Sequence, residues 1–163
     1  MLAAVSNTAL PPCGLYRTTA AIGEVPAGRL VYFHNHGDPG PGLYFPETWN
    51  ANRAKFSPRG TTLPLVFDTR ALHPLPAEGF YRVASAFHCC EKQCMRFEPD
   101  MFVQLGYNGT GQALLFLPEL GAGAVQIPER GTPVSDKAFA HLTALRVAER
   151  RDDISLPRGI IVH

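Results

Sequence analysis

The distribution of proline and glycine is the feature that most limits how this chain can fold. The 163 residues include 15 prolines and 15 glycines, and both types are spread along the chain. Proline lacks a backbone N–H and glycine accepts positive φ, so each interrupts a helix and favours a turn. The short apolar runs between them predict an α+β fold that is mainly β. We expect a small antiparallel barrel or sandwich with one amphipathic helix near the C-terminus.

Composition and length predict a single packed domain. Hydrophobic residues make up 45% of the chain and charged residues 18%, proportions that are typical of a globular protein. The predicted organisation is an N-terminal extension over 1–13, one β-rich domain over 14–151 and a C-terminal tail over 152–163. No internal repeat is evident in the sequence.

Charge and targeting features narrow the function classes. The formal net charge is +1, so no overall field favours nucleic acid or an acidic membrane. No apolar run reaches the roughly 18 residues of a membrane-spanning helix. Residues 1–13 lack a basic segment, and Pro12 stands where a lipoprotein signal has a small residue, so we expect a cytoplasmic protein. Its thiols should then be reduced or bound to metal.

Alternating apolar residues predict two hairpins and several shorter elements. The first hairpin pairs 15–22 with 29–36, and the second pairs 101–107 with 112–117. Further strands are predicted over 43–45, 79–90 and 125–128. The predicted helices are a short one over 47–56 and an amphipathic one over 136–150, with Ser135 as its N-cap.

The most chemically reactive segment is residues 87–94, Phe-His-Cys-Cys-Glu-Lys-Gln-Cys. On a regular strand His88 and Cys90 point to one face, and Cys89 points to the other face, toward the core. We expect the turn that follows to bring Cys94 back toward Cys90. Thiolate and imidazole are preferred zinc ligands, and a structural zinc ion takes four. The predicted ligands are His88, Cys90 and Cys94, with the fourth drawn from Cys13, His34 or His36.

Two other interpretations of this segment stay open. In the first, the thiols are inert, with Cys89 and Cys90 acting as small buried hydrophobes and Cys94 as a turn residue. In the second, they form a redox pair or a vicinal disulfide. The protein would then be a thiol-based redox or metal sensor.

A second candidate metal site lies at the end of the predicted strand 29–36. His34 and His36 share one face and could chelate a metal ion, with Asp38 as a nearby carboxylate ligand; exposed polar side chains are the alternative. Gly28, five residues, then His34-x-His36 resembles the start of the first cupin motif. The resemblance implies a β-barrel in which both histidines bind a metal for metal-dependent chemistry. The motif's glutamate is replaced by 39–41, Pro-Gly-Pro, and the second motif has no counterpart, so the chain is not assigned to that family.

Motifs that would define an enzyme are missing from the sequence. It has no phosphate-binding loop, nucleophile elbow or dinucleotide fingerprint. The sequence therefore favours a non-catalytic binding or assembly module that is stabilised by a Cys/His zinc site and binds a protein partner or a second copy of itself. The alternatives are a cupin-like metal-dependent enzyme using His34 and His36, and a thiol sensor using Cys89, Cys90 and Cys94.

Overall fold

The computed structural model describes residues 9–37 and 40–148, which fold mainly as antiparallel β-structure. Helical structure in these residues consists of two 3-10 turns, Thr69–Ala71 and Asp136–His141. The predicted mainly β, antiparallel fold is confirmed. The predicted barrel is wrong for the described residues, because none of their sheets closes on itself.

The N-terminal unit is a five-stranded sheet with an added hairpin. The sheet has the strand order β6-β3-β2-β1-β7. Its strands are β1 (Gly14–Thr18), β2 (Leu30–His34), β3 (Gly42–Tyr44), β6 (Thr61–Thr62) and β7 (Leu72–Pro74). Between β3 and β6 the chain forms a hairpin of β4 (Pro46–Asn50) and β5 (Arg53–Phe56).

The C-terminal unit is a second five-stranded sheet, with the order β15-β12-β11-β8-β16. Its strands are β8 (Gly79–Val83), β11 (Phe102–Tyr107), β12 (Ala113–Phe116), β15 (Thr132–Val134) and β16 (Leu142–Ala144). Two hairpins are attached to it. They are β9 (Phe87–His88) with β10 (Arg96–Phe97), and β13 (Glu119–Gly121) with β14 (Ala124–Gln126).

The two units repeat the same arrangement. When the five strands of each sheet are counted in chain order, their spatial order is the same in both units. Each unit has a hairpin between its third and fourth strands, and each has a 3-10 turn before its last strand. Register agrees as well, since Gly14 pairs with Phe33 in one unit and Gly79 pairs with Leu105 in the other. The chain therefore contains a structural repeat that is not evident in its sequence.

Equivalent tyrosines make equivalent hydrogen bonds in the two units. Tyr16 in β1 donates its hydroxyl to the carbonyl oxygen of Pro12 at 2.7 Å. Tyr81 in β8 donates to the carbonyl oxygen of Ala77, also at 2.7 Å. Both tyrosine residues are buried. Each bond ties the segment before the first strand to that strand.

A glycine against an aromatic ring also occurs twice. A Cβ atom at Gly60 would lie 2.8 Å from the ring of Tyr44, and one at Gly131 would lie 3.0 Å from the ring of Phe116. Each glycine stands in an Arg-Gly-Thr sequence. Such stretches of identical sequence in the two units are short, and loops of unequal length separate them. The sequence pattern therefore does not reveal the repeat.

The β4–β5 hairpin joins the N-terminal unit to the C-terminal unit. The indole N–H of Trp49 donates to the carbonyl oxygen of Tyr107 at 2.8 Å. The side-chain amide of Asn52 donates to that of Gln104 at 3.0 Å, and Gln104 in turn donates to the carbonyl oxygen of Ala51 at 2.9 Å. Since Gln104 is only 2% exposed, these bonds are needed to satisfy a buried amide.

Apolar and ionic contacts add to this junction. Leu30 and Leu75 of the N-terminal unit are buried in the core of the C-terminal unit. The guanidinium of Arg17 binds the carboxylate of Asp136 with both of its terminal nitrogens, at 2.8 and 3.0 Å. The predicted end of the domain at residue 151 lies outside the described residues.

The predicted amphipathic helix over 136–150 is wrong for the residues that the structure describes. Asp136–His141 is a 3-10 turn, Leu142–Ala144 is strand β16, and residues 149–150 lie outside the described part. The side chain of Ser135 makes no capping hydrogen bond. Pairing with β8 satisfies the backbone groups of β16, so the open edge of the sheet outweighs the local helical pattern.

Two further predictions need correction, and two are confirmed. The predicted short helix over 47–56 is a hairpin, because Ala51 and Asn52 adopt φ of 48° and 63° and turn the chain back on itself. The predicted strand over 79–90 breaks after Val83 and resumes at Phe87–His88. The predicted pairings of β1 with β2 and of β11 with β12 are confirmed.

The close approach of the two units at Gly106 leads to a first prediction. A Cβ atom there would lie 2.7 Å from the carbonyl oxygen of Asn52. We expect Gly106→Ala to lower the free energy of unfolding by about 1–3 kcal/mol, as overpacking does. Gly109→Ala is the matched control, because its Cβ would meet only Trp49 at 3.8 Å. Equal losses in chemical denaturation would contradict a tight contact at Gly106.

Glu78 lies at the same junction, where its carboxylate accepts hydrogen bonds from the backbone N–H of Ala54 at 3.1 and 3.2 Å. Burial raises the pKa of this carboxyl group, and the bond from Ala54 and the charge of Arg53 offset only part of the rise. The folded state therefore binds the proton of Glu78 more tightly than the unfolded state does.

This shift has a defined sign in a pH experiment. A raised folded-state pKa contributes stability that is present below the unfolded pKa and is lost as the pH rises through the folded value. The Glu78→Gln variant has no titrating group at this position. The free energy of unfolding of the wild type, relative to that of this variant, should therefore increase as the pH falls from about 7 to about 4. Urea denaturation of both proteins measures the difference, and a difference that stays constant would contradict the assignment.

Candidate metal centre

The pairing of β1 with β2 brings a thiol beside two imidazoles. Cys13 comes directly before β1 and His34 is the last residue of β2, and the register pairs the neighbouring residues Gly14 and Phe33. His36 follows two residues later and points to the same site. The ligand atoms of Cys13, His34 and His36 all lie within 4.8 Å of one another.

The two sulfur–nitrogen distances in this cluster match those of a tetrahedral zinc site. The sulfur of Cys13 lies 3.4 Å from Nδ1 of His34 and 3.7 Å from Nδ1 of His36. In tetrahedral coordination, with Zn–S near 2.3 Å and Zn–N near 2.05 Å, a sulfur and a nitrogen are about 3.6 Å apart. The two imidazole rings are 4.1 Å apart between centroids and nearly perpendicular. The three side chains are therefore already placed to share one ion.

Asn35 holds the thiol in position. Its backbone N–H donates to the sulfur of Cys13 at 3.3 Å, and its side-chain oxygen lies 3.2 Å from that sulfur and 2.9 Å from Nδ1 of His36. Its side-chain nitrogen donates to the carbonyl oxygen of Pro11 at 3.2 Å. Asn35 therefore contacts the sulfur through both its backbone and its side chain, and these contacts fix the sulfur beside the two imidazoles.

The surroundings of the cluster are aromatic on one side and open on the other. The His34 ring lies 6.2 Å from that of Tyr32 and 6.3 Å from that of Tyr44. Cys13 and His34 are half-buried, whereas His36 is exposed. Three protein ligands leave one position of a tetrahedral ion for a further ligand. Asp38, the predicted carboxylate ligand, lies outside the described residues.

The predicted site residues divide into two places in the structure. Cys13, His34 and His36 come together, and Cys13 is a member of this cluster instead of a fourth ligand for the cysteine segment. His88, Cys90 and Cys94 do not form such a cluster in the described part of the chain. Asn35 is not among the site residues predicted from the sequence. Its position between His34 and His36 at the end of one strand would have indicated that it lies close to the same site.

The cysteine segment forms the tip of the β9–β10 hairpin. Cys89 is 4% exposed and lies in the core, as the strand alternation predicts, whereas Cys90 and Cys94 are exposed. The sulfurs of Cys89 and Cys90 are 3.5 Å apart. Cys90, His88 and His141 are among the residues that line a cavity of about 280 Å³.

Hydrogen bonds make the thiols of this tip unequal. The pKa of Cys90 is lowered, first by the hydrogen bond from the Cys89 thiol and then by the backbone N–H groups of Lys92 and Cys94. The charge on Cys90 in turn raises the pKa of Cys94. Cys90 therefore loses its proton at a lower pH than Cys94 does.

This difference predicts selective alkylation. Because the thiolate is the nucleophile, iodoacetamide at neutral pH should modify Cys90 several-fold faster than Cys94, and both are exposed to the reagent. Peptide mapping by mass spectrometry on a time series measures the two rates within one sample. Equal rates, or faster modification of Cys94, would contradict the assigned order of pKa values.

Comparison of the chain with protein-family models, with curated proteins and with solved structures finds no match. The cupin resemblance thus has neither a matching family model nor a closed barrel in the described residues. No helix among residues 9–37 and 40–148 is long and apolar enough to span a membrane. The function must be argued from the site itself.

Proposed function

We propose that this protein is a non-catalytic, metal-binding assembly module in which Cys13, His34 and His36 hold one zinc ion. The observation that carries the proposal is a cluster of three ligand atoms within 4.8 Å of one another, in which both sulfur–nitrogen distances are close to those of a tetrahedral zinc site. A thiolate with two imidazoles suits zinc and other late divalent metals better than magnesium or calcium, which prefer oxygen ligands.

The ion would connect parts of the N-terminal unit that are far apart in sequence. Cys13 lies before β1, and His34 and His36 lie at the end of β2. Binding to the folded form only would stabilise it, by about 2.7 kcal/mol at a free zinc concentration 100-fold above the dissociation constant. The role is structural because the ion would fix the ends of two neighbouring inner strands, β1 and β2, of the N-terminal sheet.

Zinc binding provides the direct test. The wild type should bind one equivalent of zinc, measured by competition with a chromophoric chelator, and its melting temperature should rise. Cys13→Ser and His34→Ala should each weaken binding at least tenfold, since each removes one of three ligands. Both changes should also abolish the rise in melting temperature.

Two matched controls separate this site from other cysteines and histidines. Cys94→Ser removes an exposed thiol and His73→Ala a partly exposed imidazole, both outside the cluster, so zinc affinity should be unchanged. If Cys94→Ser weakened zinc binding and Cys13→Ser did not, the ion would belong to the β9–β10 hairpin and the proposal would be wrong.

A second candidate function is thiol sensing at the β9–β10 hairpin. It is favoured by the lowered pKa of Cys90 and by the raised pKa of Cys94, which the charge on Cys90 causes. Oxidation would join their two sulfurs, with two electrons and two protons passing to a disulfide such as oxidised glutathione. The alkylation comparison tests the chemical premise of this function.

A further inference from the structure

A cavity of about 370 Å³ lies between the β4–β5 hairpin of the N-terminal unit and the C-terminal unit, and we call it the junction cavity. It contains none of the candidate metal ligands. Small-molecule sites have volumes of this order and often lie between structural units. Its lining includes Trp49, Asn52, Asn108, Leu114, Phe116 and Glu129.

The junction cavity exists only while the two units are packed together. Trp49 and Asn52 belong to the hairpin of one unit, and Asn108 belongs to the other. The hydrogen bonds of Trp49 with Tyr107 and of Asn52 with Gln104 hold the hairpin in place. A ligand in this cavity would therefore stabilise the packed arrangement of the units.

Two aromatic walls of the junction cavity are fixed in position. The indole N–H of Trp49 donates to the carbonyl oxygen of Tyr107 at 2.8 Å, and Trp49 remains 43% exposed. The ring of Phe116 lies against Gly106 and Gly131, where a Cβ atom would be 3.2 and 3.0 Å from it. Because both rings are held before a ligand arrives, binding requires little ordering of side chains.

The junction cavity carries a negative charge. Glu129 is the only charged residue that lines it in the described part of the chain. The carboxylate of Glu129 forms no salt bridge with another described residue. The face of an indole ring also attracts cations, through its quadrupole. Trp49 and Glu129 together therefore suit an organic cation, and the apolar Leu114 and Phe116 favour alkyl groups on it.

The two asparagines of the junction cavity have defined orientations. The side-chain nitrogen of Asn52 donates to the side chain of Gln104 at 3.0 Å and to the carbonyl oxygen of Pro128 at 2.9 Å, which uses both of its hydrogens. The side-chain oxygen of Asn108 accepts from the backbone N–H and the hydroxyl of Thr110 at 3.0 and 2.7 Å. The oxygen of Asn52 is therefore left to face a cation, and the N–H groups of Asn108 are left to bind an oxygen atom.

We propose that the junction cavity binds a small alkylammonium ion. The cation lies against the indole of Trp49 beside the carboxylate of Glu129, and a hydroxyl group on the same molecule accepts a hydrogen bond from Asn108. This binding activity goes beyond the proposed zinc site, because the two sites share no residue.

Choline and its neutral isostere 3,3-dimethyl-1-butanol test whether charge is recognised. Trp49 is the only tryptophan of the chain, so its fluorescence reports directly on the cavity. Titration of the full-length protein with choline at constant ionic strength should change this emission in a saturable manner. The neutral alcohol should bind at least fivefold more weakly. The absence of a saturable change, or equal affinity for the two molecules, would overturn the proposal.

A pair of matched variants tests the carboxylate. Glu129→Gln keeps the shape of the side chain and removes its charge, so it should weaken choline binding at least fivefold. Glu119→Gln is the control, because Glu119 is also exposed but lies in β13 and does not line the cavity. It should bind choline like the wild type. Unchanged binding by Glu129→Gln, or equal losses in the two variants, would contradict the proposal.

Zinc titration of Glu129→Gln keeps the two sites distinguishable. This variant retains Cys13, His34 and His36, so its zinc affinity should equal that of the wild type. A protein that binds choline without binding zinc would contradict only the zinc proposal, and one that binds zinc without binding choline would contradict only the proposal for the junction cavity.

Discussion

The buried amide of Gln104 is the contact on which the arrangement of this protein depends. It lies in the central part of the C-terminal sheet and makes its hydrogen bonds with the β4–β5 hairpin of the other unit. It accepts one from the side chain of Asn52 and donates one to the carbonyl oxygen of Ala51. A buried amide without partners costs about 1–3 kcal/mol. The hairpin must therefore stay in place, and with it the relative position of the two units. The ion pair between Arg17 and Asp136 adds a second junction contact.

The repeat separates what the fold requires from what it does not. Tyr16 and Tyr81, and Gly60 and Gly131, make the same contacts in both units, so these residues serve the sheet. The candidate metal ligands Cys13, His34 and His36 have no such counterparts. His34 corresponds to Gly106 in register, so the fold can be built without a histidine at that position. The convergence of His34 with Cys13 and His36 is therefore a property of one unit only, as is expected of a functional site grafted on a scaffold.

Local signals were enough to predict the fold class and two hairpins, but they gave the wrong structure for the segments 47–56 and 136–150. The hairpins of β1 with β2 and of β11 with β12 follow from alternation and turn residues close in sequence. The helices predicted over 47–56 and 136–150 failed because a second interaction was available to each segment. Strand β16 pairs with the free edge of β8, and the hairpin of β4 and β5 packs on the surface of the other unit. Pairing with distant chain segments outweighs helix propensity.

The sequence alone determined that this protein would be built from short antiparallel strands, since prolines and glycines at short intervals leave no room for long helices. It also determined which side chains could bind zinc, because thiols and imidazoles are chemically suited to it. Only the tertiary structure decided which of them meet. Cys13 and His34 come together through the register of two strands, and register depends on packing across the whole sheet. The repeat was likewise visible only in the pairing of strands, since loops of different length hide it along the chain.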